Sequence, residues 1–394
     1  METCERDWRE HEEFFSRKIS VLQGNTCRER IFYLKIIIMI ADIVKVFLPA
    51  AFAFFIGIAL TPLWTNFLYR RQMWKKKAGK VDLDGKETKI FNELHKTREV
   101  GTPKMGGVII WFSAALTTLL FWLSAQIFSG DIFAKIDFMS RNQTWIPLFA
   151  LLFGGLIGLI DDWLDIRGNG SHLAGGLSLK KRLILVSIIA LVSAFWFYFK
   201  LDVAAIGLPY LGDLQIGWLF IPLFVLVILG LYSGGVIDGI DGLAGGVFAA
   251  MFSAYAVIAF QQSQINLAAF CAVIVGGILA FLWFNIPPAR FYMSETGTMG
   301  LTITLGIVAF MTDSLGEGHG LIALPVVALP LVATTLSNII QVLSKKYRGK
   351  KVFLIAPIHH HFEALGWPPY KVTMRFWILG IIFAILGTIV ALLR

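Results

Sequence analysis

Five carboxylates and three adjacent histidines are the side chains in this sequence best suited to chemistry on phosphates. Asp161 and Asp162 are neighbours, Asp238 and Asp241 are three apart and share a face if helical, and Glu295 follows an FNIPPARFYMS segment. Acids gathered at one place repel unless a cation neutralises them, and hard oxygen ligands suit Mg²⁺, which takes one or two carboxylates plus substrate phosphates. His359, His360 and His361 make up three of the seven histidines. Imidazoles donate to phosphate oxygens and titrate near neutrality. With Lys345, Lys350 and Lys351 upstream, they read as the opposing half of a clamp on a diphosphate. A zinc site is disfavoured, because three consecutive residues point in different directions. The competing reading of each acid is a helix cap or a partner for a nearby Lys or Arg.

These residues must be positioned by a membrane bundle. The chain is 57% hydrophobic and 15% charged, and its mean hydropathy is +0.71. Soluble domains are nearer a quarter charged. Ten apolar runs read as spans, at about 46–68, 106–128, 144–160, 183–199, 217–234, 243–260, 266–285, 298–312, 320–342 and 374–393. They are continuous rather than alternating, which excludes a β-barrel. The fold class is therefore an all-α integral membrane protein of about ten transmembrane helices, in one domain over 43–394. Residues 1–42 read as a polar extension, disordered or amphipathic and not a cleavable signal; translation from Met39 is the other reading. Cys4, Cys27 and Cys271 have no metal or disulfide spacing.

Charge assigns the sides. The stretch from Arg70 to Lys104 carries eleven Lys and Arg, and the connections at 161–182 and 343–373 are also basic. QQSQIN and TDSLGEGHG have no Lys or Arg. By the positive-inside rule the basic connections are cytoplasmic and both termini lie outside. The net charge of +9 marks cytoplasmic loops against anionic headgroups, so no nucleic acid is expected. GTPKMGG, IDDWLDIRG, VIDGIDGLAGG, FNIPPARFYMSETG and APIHHHFE all fall on that one side, as one active site at the cytoplasmic face would require. Intramembrane acids at a transporter's midplane and paired inverted repeats are not seen. Recurring glycine pairs read as helix-packing positions.

From about Ile40 to Arg394 the sequence resembles the polyprenyl-phosphate N-acetylhexosamine-1-phosphate transferases. The motifs are GTPKMGG, the Asp161–Asp162 pair, DGIDGLAGG, FLWFN with Asn285, the following Glu-Thr-Gly-Thr, and APIHHHFEALGW with KVTMRFW. The last block resembles the muramoyl branch. The resemblance implies transfer of a phospho-sugar from UDP-N-acetylmuramoyl-pentapeptide to undecaprenyl phosphate, with release of UMP and a need for Mg²⁺. It implies a multi-pass protein of the bacterial inner membrane, and a homodimer is compatible with it. Asp161 would deprotonate or orient the lipid phosphate. Asp162, Asp238 and Glu295 would stand at the metal. Asp238, Gly239 and Asp241 would face the nucleotide with Asn285, and Tyr292 would stack on uracil. Thr102, Pro103 and Lys104 would contact substrate, and His359, His360 and His361 the phosphates.

Three positions depart from the family pattern. Asp165 stands where a Lys is usual, Gly235 where Asn is usual, and Glu295 where the metal Asp is usual. Each touches the expected site, so a related transferase using another UDP-N-acetylhexosamine is the alternative.

Overall fold

The computed structural model describes residues 27–75, 100–128, 130–140, 143–168, 176–316 and 318–393. Most of the N-terminal extension and of the first basic connection lies outside the described residues. From Cys27 the chain is helical, in a single helix α1 (Cys27–Arg70) that carries the first predicted span.

The remaining helices follow the apolar runs. They are α2 (Val108–Ile127), a short α3 (Asp131–Ile136), α4 (Trp145–Arg167), α5 (Leu179–Lys200), α6 (Phe220–Ser233), α7 (Leu243–Gln261), α8 (Ile265–Asn285), α9 (Ser294–Met311), α10 (Gly320–Val327), α11 (Leu329–Arg348), α12 (Ile358–Ala364) and α13 (Pro369–Leu392). Eight of the described helical segments are long and apolar enough to cross a bilayer, or nine if α10 and α11 form one span. The protein is an all-α multi-pass membrane protein.

Two of the ten expected spans differ from simple rods. The run at 320–342 is broken: α10 and α11 meet at a 64° bend. Pro330 stands at the start of α11 and has no N–H to continue the ladder across the break. The run at 298–312 is α9, whose first turn is Ser-Glu-Thr-Gly-Thr. Those polar residues leave it short of a lipid-facing span, and every residue from Thr296 to Met311 is buried. It is a central shaft, and the other helices supply its surroundings.

Small residues set how closely the helices approach. A Cβ on Gly154 would stand 2.9 Å from Gly300 Cα, and one on Gly158 would stand 2.1 Å from the Glu295 carbonyl oxygen. Helix α4 therefore lies directly on α9. Helix α13 shows the membrane pattern of sidedness. Gly380, Ala384, Gly387 and Ala391 are buried, while Ile378, Ile381, Ile385 and Ile389 are exposed. Large side chains face outward because lipid is as apolar a solvent as the bundle interior.

A hairpin was not expected. Strands β1 (Ala205–Leu208) and β2 (Gly212–Gln215) pair antiparallel between α5 and α6. The Gly207 N–H donates to Asp313 Oδ2 at 2.8 Å, and the Leu321 N–H donates to Asp313 Oδ1 at 3.1 Å. The buried Asp313 thus ties the hairpin to the end of α9 and the start of α10.

Candidate active site

The five polar clusters meet at one end of the bundle. They line a cavity of about 420 Å³ that includes Thr102, Lys104, Asp161, Asp162, Asp165, Arg182, Gly235, Asp238, Gly239, Asp241, Tyr292, Glu295, His360 and Glu363. The elements that bring them there are the last turns of α4, the turns between α6 and α7 and between α8 and α9, the segment before α2, and α12.

Backbone pairing fixes the segment before α2. The Tyr292 N–H donates to the Pro103 carbonyl at 2.8 Å, and the Gly106 N–H donates to the Tyr292 carbonyl at 2.8 Å. A Cβ on Gly107 would stand 2.2 Å from the Gly297 nitrogen. The GTPKMGG glycines therefore permit backbone contact with the start of α9, and Lys104 is delivered to the cavity as a result.

The adjacent aspartates point to different partners. Asp161 Oδ1 accepts the Leu177 N–H at 2.6 Å, and its Oδ2 lies 3.0 Å from Arg182 Nη2. Asp162 Oδ2 accepts from the Thr296 N–H at 2.9 Å and the Thr296 hydroxyl at 2.6 Å, both at the first turn of α9. Asp162 Oδ1 lies 3.5 Å from Lys104 Nζ, and the same ammonium pairs closely with Asp165. Arg182 Nη1 donates to Glu295 Oε1 at 2.8 Å. Each member of the aspartate pair therefore shares one cation with a second acid: Asp161 and Glu295 share Arg182, while Asp162 and Asp165 share Lys104.

Asp238 accepts the Ser294 N–H at 2.7 Å. Burial pushes its carboxyl up to about 6, and the Ser294 N–H opposes that rise. Burial alone would lower the Lys104 ammonium, but Asp162 and Asp165 overcome it and hold the group above its usual range. Asp241 Oδ2 accepts the Ala289 N–H at 3.1 Å.

The three histidines separate. His360 lines the cavity, and its Nδ1 is 2.6 Å from Glu363 Oε2 in a buried pair. A carboxylate on Nδ1 fixes the orientation of the ring. His359 is fully buried beside it, with ring centroids 4.4 Å apart. A Cβ on Gly239 would meet His359 Nε2 at 2.6 Å and His360 Nε2 at 2.7 Å, so this glycine admits both rings. His361 faces elsewhere: its Nδ1 accepts the Leu354 N–H at 3.2 Å, and it packs on Phe353.

Pro103, Asn285, His359 and His361 do not line the cavity. Asn285 accepts the Gly242 N–H at 2.9 Å and donates to the Phe291 carbonyl at 2.7 Å. In this structure it clamps two site turns together. Sequence reasoning passed over Arg182, Thr296 and Glu363 as site residues. Glu363 had a local signal, three residues after His360. Arg182 looked like one more charge in a basic connection.

Buried acids, two shared cations and a histidine–carboxylate pair at the end of a membrane bundle can hold phosphates beside a lipid phase. This defines a membrane transferase of phosphorylated groups, and comparison with known proteins agrees. The family model for glycosyl transferase family 4 matches residues 144–313. A phospho-N-acetylmuramoyl-pentapeptide-transferase of Anoxybacillus flavithermus is 33% identical over 341 residues, covering 86% of this chain and 95% of its own. The protein of that name from Geobacillus sp. is 34% identical over 340 residues, at 85% and 94% coverage. That of Chloroflexus aggregans is 30% identical over 370 residues, at 90% and 92% coverage. The chain belongs to the phospho-N-acetylmuramoyl-pentapeptide-transferase family.

Proposed function

We propose that this chain transfers phospho-N-acetylmuramoyl-pentapeptide from its UDP conjugate to undecaprenyl phosphate, releasing UMP and forming the first lipid-linked peptidoglycan precursor. The observation that carries this reading is the convergence of the family motifs on one cavity at a bundle end. In the net reaction a P–O bond forms between the lipid phosphate oxygen and the phosphorus of the phospho-sugar. The P–O bond from that phosphorus to UMP breaks, and UMP leaves with its electron pair. Such a transfer needs mainly positioning and charge neutralisation.

The residues have divisible tasks. Asp161, fixed by the Leu177 N–H, holds Arg182 at the cavity. Arg182 and Lys104 offer donors to phosphate oxygens. Tyr292 and Asp241 stand on the side assigned to the nucleotide. His360, oriented by Glu363, presents its imidazole to the phosphates. A cavity at a bundle end is where a membrane-held acceptor and a soluble donor would meet.

A Mg²⁺ ion fits this donor set. Among the described residues no three acid, Cys or His groups form a ready cage. Asp162 and Asp238 both line the cavity. Two carboxylates completed by substrate phosphates is an ordinary arrangement for Mg²⁺. Asp162 and Asp238 would hold the ion, and Glu295 would join only by leaving Arg182. When bound, the ion neutralises charge on the phosphate oxygens. We place the protein in the bacterial inner membrane with this cavity on the cytoplasmic side, where UDP-sugars are made.

The deciding experiment offers the purified chain undecaprenyl phosphate with radiolabelled UDP-N-acetylmuramoyl-pentapeptide, or with UDP-N-acetylglucosamine. Label should pass into lipid from the first donor and not from the second. Transfer from the second alone would install the related transferase in its place.

A further inference from the structure

Lys104 and Asp165 form an ion pair inside the cavity, and the rest of the site treats the two residues differently. The lysine backbone is held in place: its N–H donates to the Met73 carbonyl at 2.8 Å, and the Trp64 Nε1–H donates to the Met105 carbonyl at 3.0 Å. Its ammonium, on a flexible four-carbon stem, is a mobile point charge. Asp162 cannot follow it, because Thr296 anchors its other oxygen through two hydrogen bonds. Asp165 lies one helical turn beyond the aspartate pair, on the same face as Asp161 and Asp162. Both Lys104 and Asp165 line the cavity, with side chains 20% and 10% exposed.

An anionic oxygen on a lysine ammonium is what a phosphate would also supply. From this geometry we propose that Asp165 is a built-in competitor for the phosphate-binding charge of Lys104. The ammonium exchanges from Asp165 onto a substrate phosphate oxygen, and Asp165 thereby sets how tightly the phosphate is held. No covalent bond changes in this exchange. The inference rests on the proposed transfer between phosphates, and it also explains the acid at 165. A lysine expected there is absent, and the neighbouring segment brings a lysine to the same place, with an acid that weakens its grip. A site that must release UMP and a lipid-linked product gains from such weakening, since product release limits many enzymes.

The two partners then have opposite effects. The full-length chain in detergent is titrated with UDP, and initial rates give KM for the sugar donor and for undecaprenyl phosphate. Asp165→Asn should tighten phosphate binding by about threefold or more, while Lys104→Met should weaken it by about tenfold or more. In the double variant the effect of Asp165→Asn should vanish. Shifts in UDP affinity and donor KM assign the exchange to the donor diphosphate; shifts in lipid KM alone assign it to the acceptor. Lys104→Arg, which keeps the charge, shows whether a weak Lys104→Met is merely misfolded. If Asp165→Asn and Lys104→Met both weaken binding, the pair is a structural bridge and the proposal fails. It fails equally if neither changes it. A native chain that binds UDP but transfers no muramoyl group would sink the proposed reaction, while the sign of the two binding shifts would still decide this inference.

Discussion

Glu295 Oε1 stands 2.8 Å from Arg182 Nη1, and the same guanidinium reaches Asp161 Oδ2 at 3.0 Å. The residue expected at the metal is thus engaged with a protein cation. Glutamate carries its carboxylate about 1–1.5 Å further from the backbone than aspartate. That extra reach fits the span to Arg182. Glu295→Asp, although it restores the family residue, should withdraw from Arg182 and lower turnover several-fold. Glu295→Gln should abolish turnover or raise the Mg²⁺ needed. Rates measured across a Mg²⁺ titration check both; full activity of Glu295→Gln at low Mg²⁺ would show that this residue does not serve the metal.

The histidines should not be equivalent. His360 lines the cavity on a carboxylate support, whereas His361 holds the backbone at Leu354. His360→Ala should lower turnover more than tenfold, about 1.4 kcal/mol or more of transition-state stabilisation. His361→Ala should lose less turnover. Equal losses, with equal protein in the membrane, would contradict this division.

Gly158 and Gly235 make a paired test of close approach. A Cβ on Gly158 would fall 2.1 Å from the Glu295 carbonyl, whereas one on Gly235 would meet Thr298 at 3.4 Å, an ordinary contact. Gly158→Ala should push α4 away from α9, disturb the Asp162–Thr296 bonds, and reduce both activity and thermal stability. Gly235→Ala should be tolerated in both. Melting curves and initial rates on the two variants decide it.

Sidedness is open to chemical labelling. In a chain with Cys4, Cys27 and Cys271 replaced, Gly349→Cys follows the basic end of α11, and Ser263→Cys lies in the connection without charge between α7 and α8. An impermeant thiol reagent applied to intact cells should label Ser263→Cys and spare Gly349→Cys. The reverse pattern would put the cavity on the outer face.

Much of this molecule was legible because membranes punish charge. Acids such as Asp161, Asp162 and Asp238 at the ends of apolar runs had to be explained, and they do converge. The pairings were not legible. Lys104 and Asp165 are 61 residues apart, and Arg182 and Glu295 are 113 apart. Nothing local in either residue names its partner. The bend between α10 and α11 was hidden because hydropathy records composition and carries no direction. The partners of Asn285 were hidden for a related reason: the motif names the residue, while its bonds to the Gly242 and Phe291 backbone groups depend on how two turns meet. The hairpin at Ala205–Leu208 escaped because strands of four residues give too short a periodic signal.

Helix α9 is sheathed by the rest of the bundle, and it carries the bonds that fix the site: Thr296 to Asp162, Ser294 to Asp238, and the glycine contacts of α2 and α4. Bilayers differ in thickness, and outer helices answer by tilting. The exposed isoleucines of α13 feel that change directly. Asp162 and Asp238 are bonded to a helix whose residues from Thr296 to Met311 are all buried. The hydrogen bonds that place Asp162 and Asp238 thus end on the sheathed helix, and none of them ends on a helix such as α13 that turns its large side chains outward.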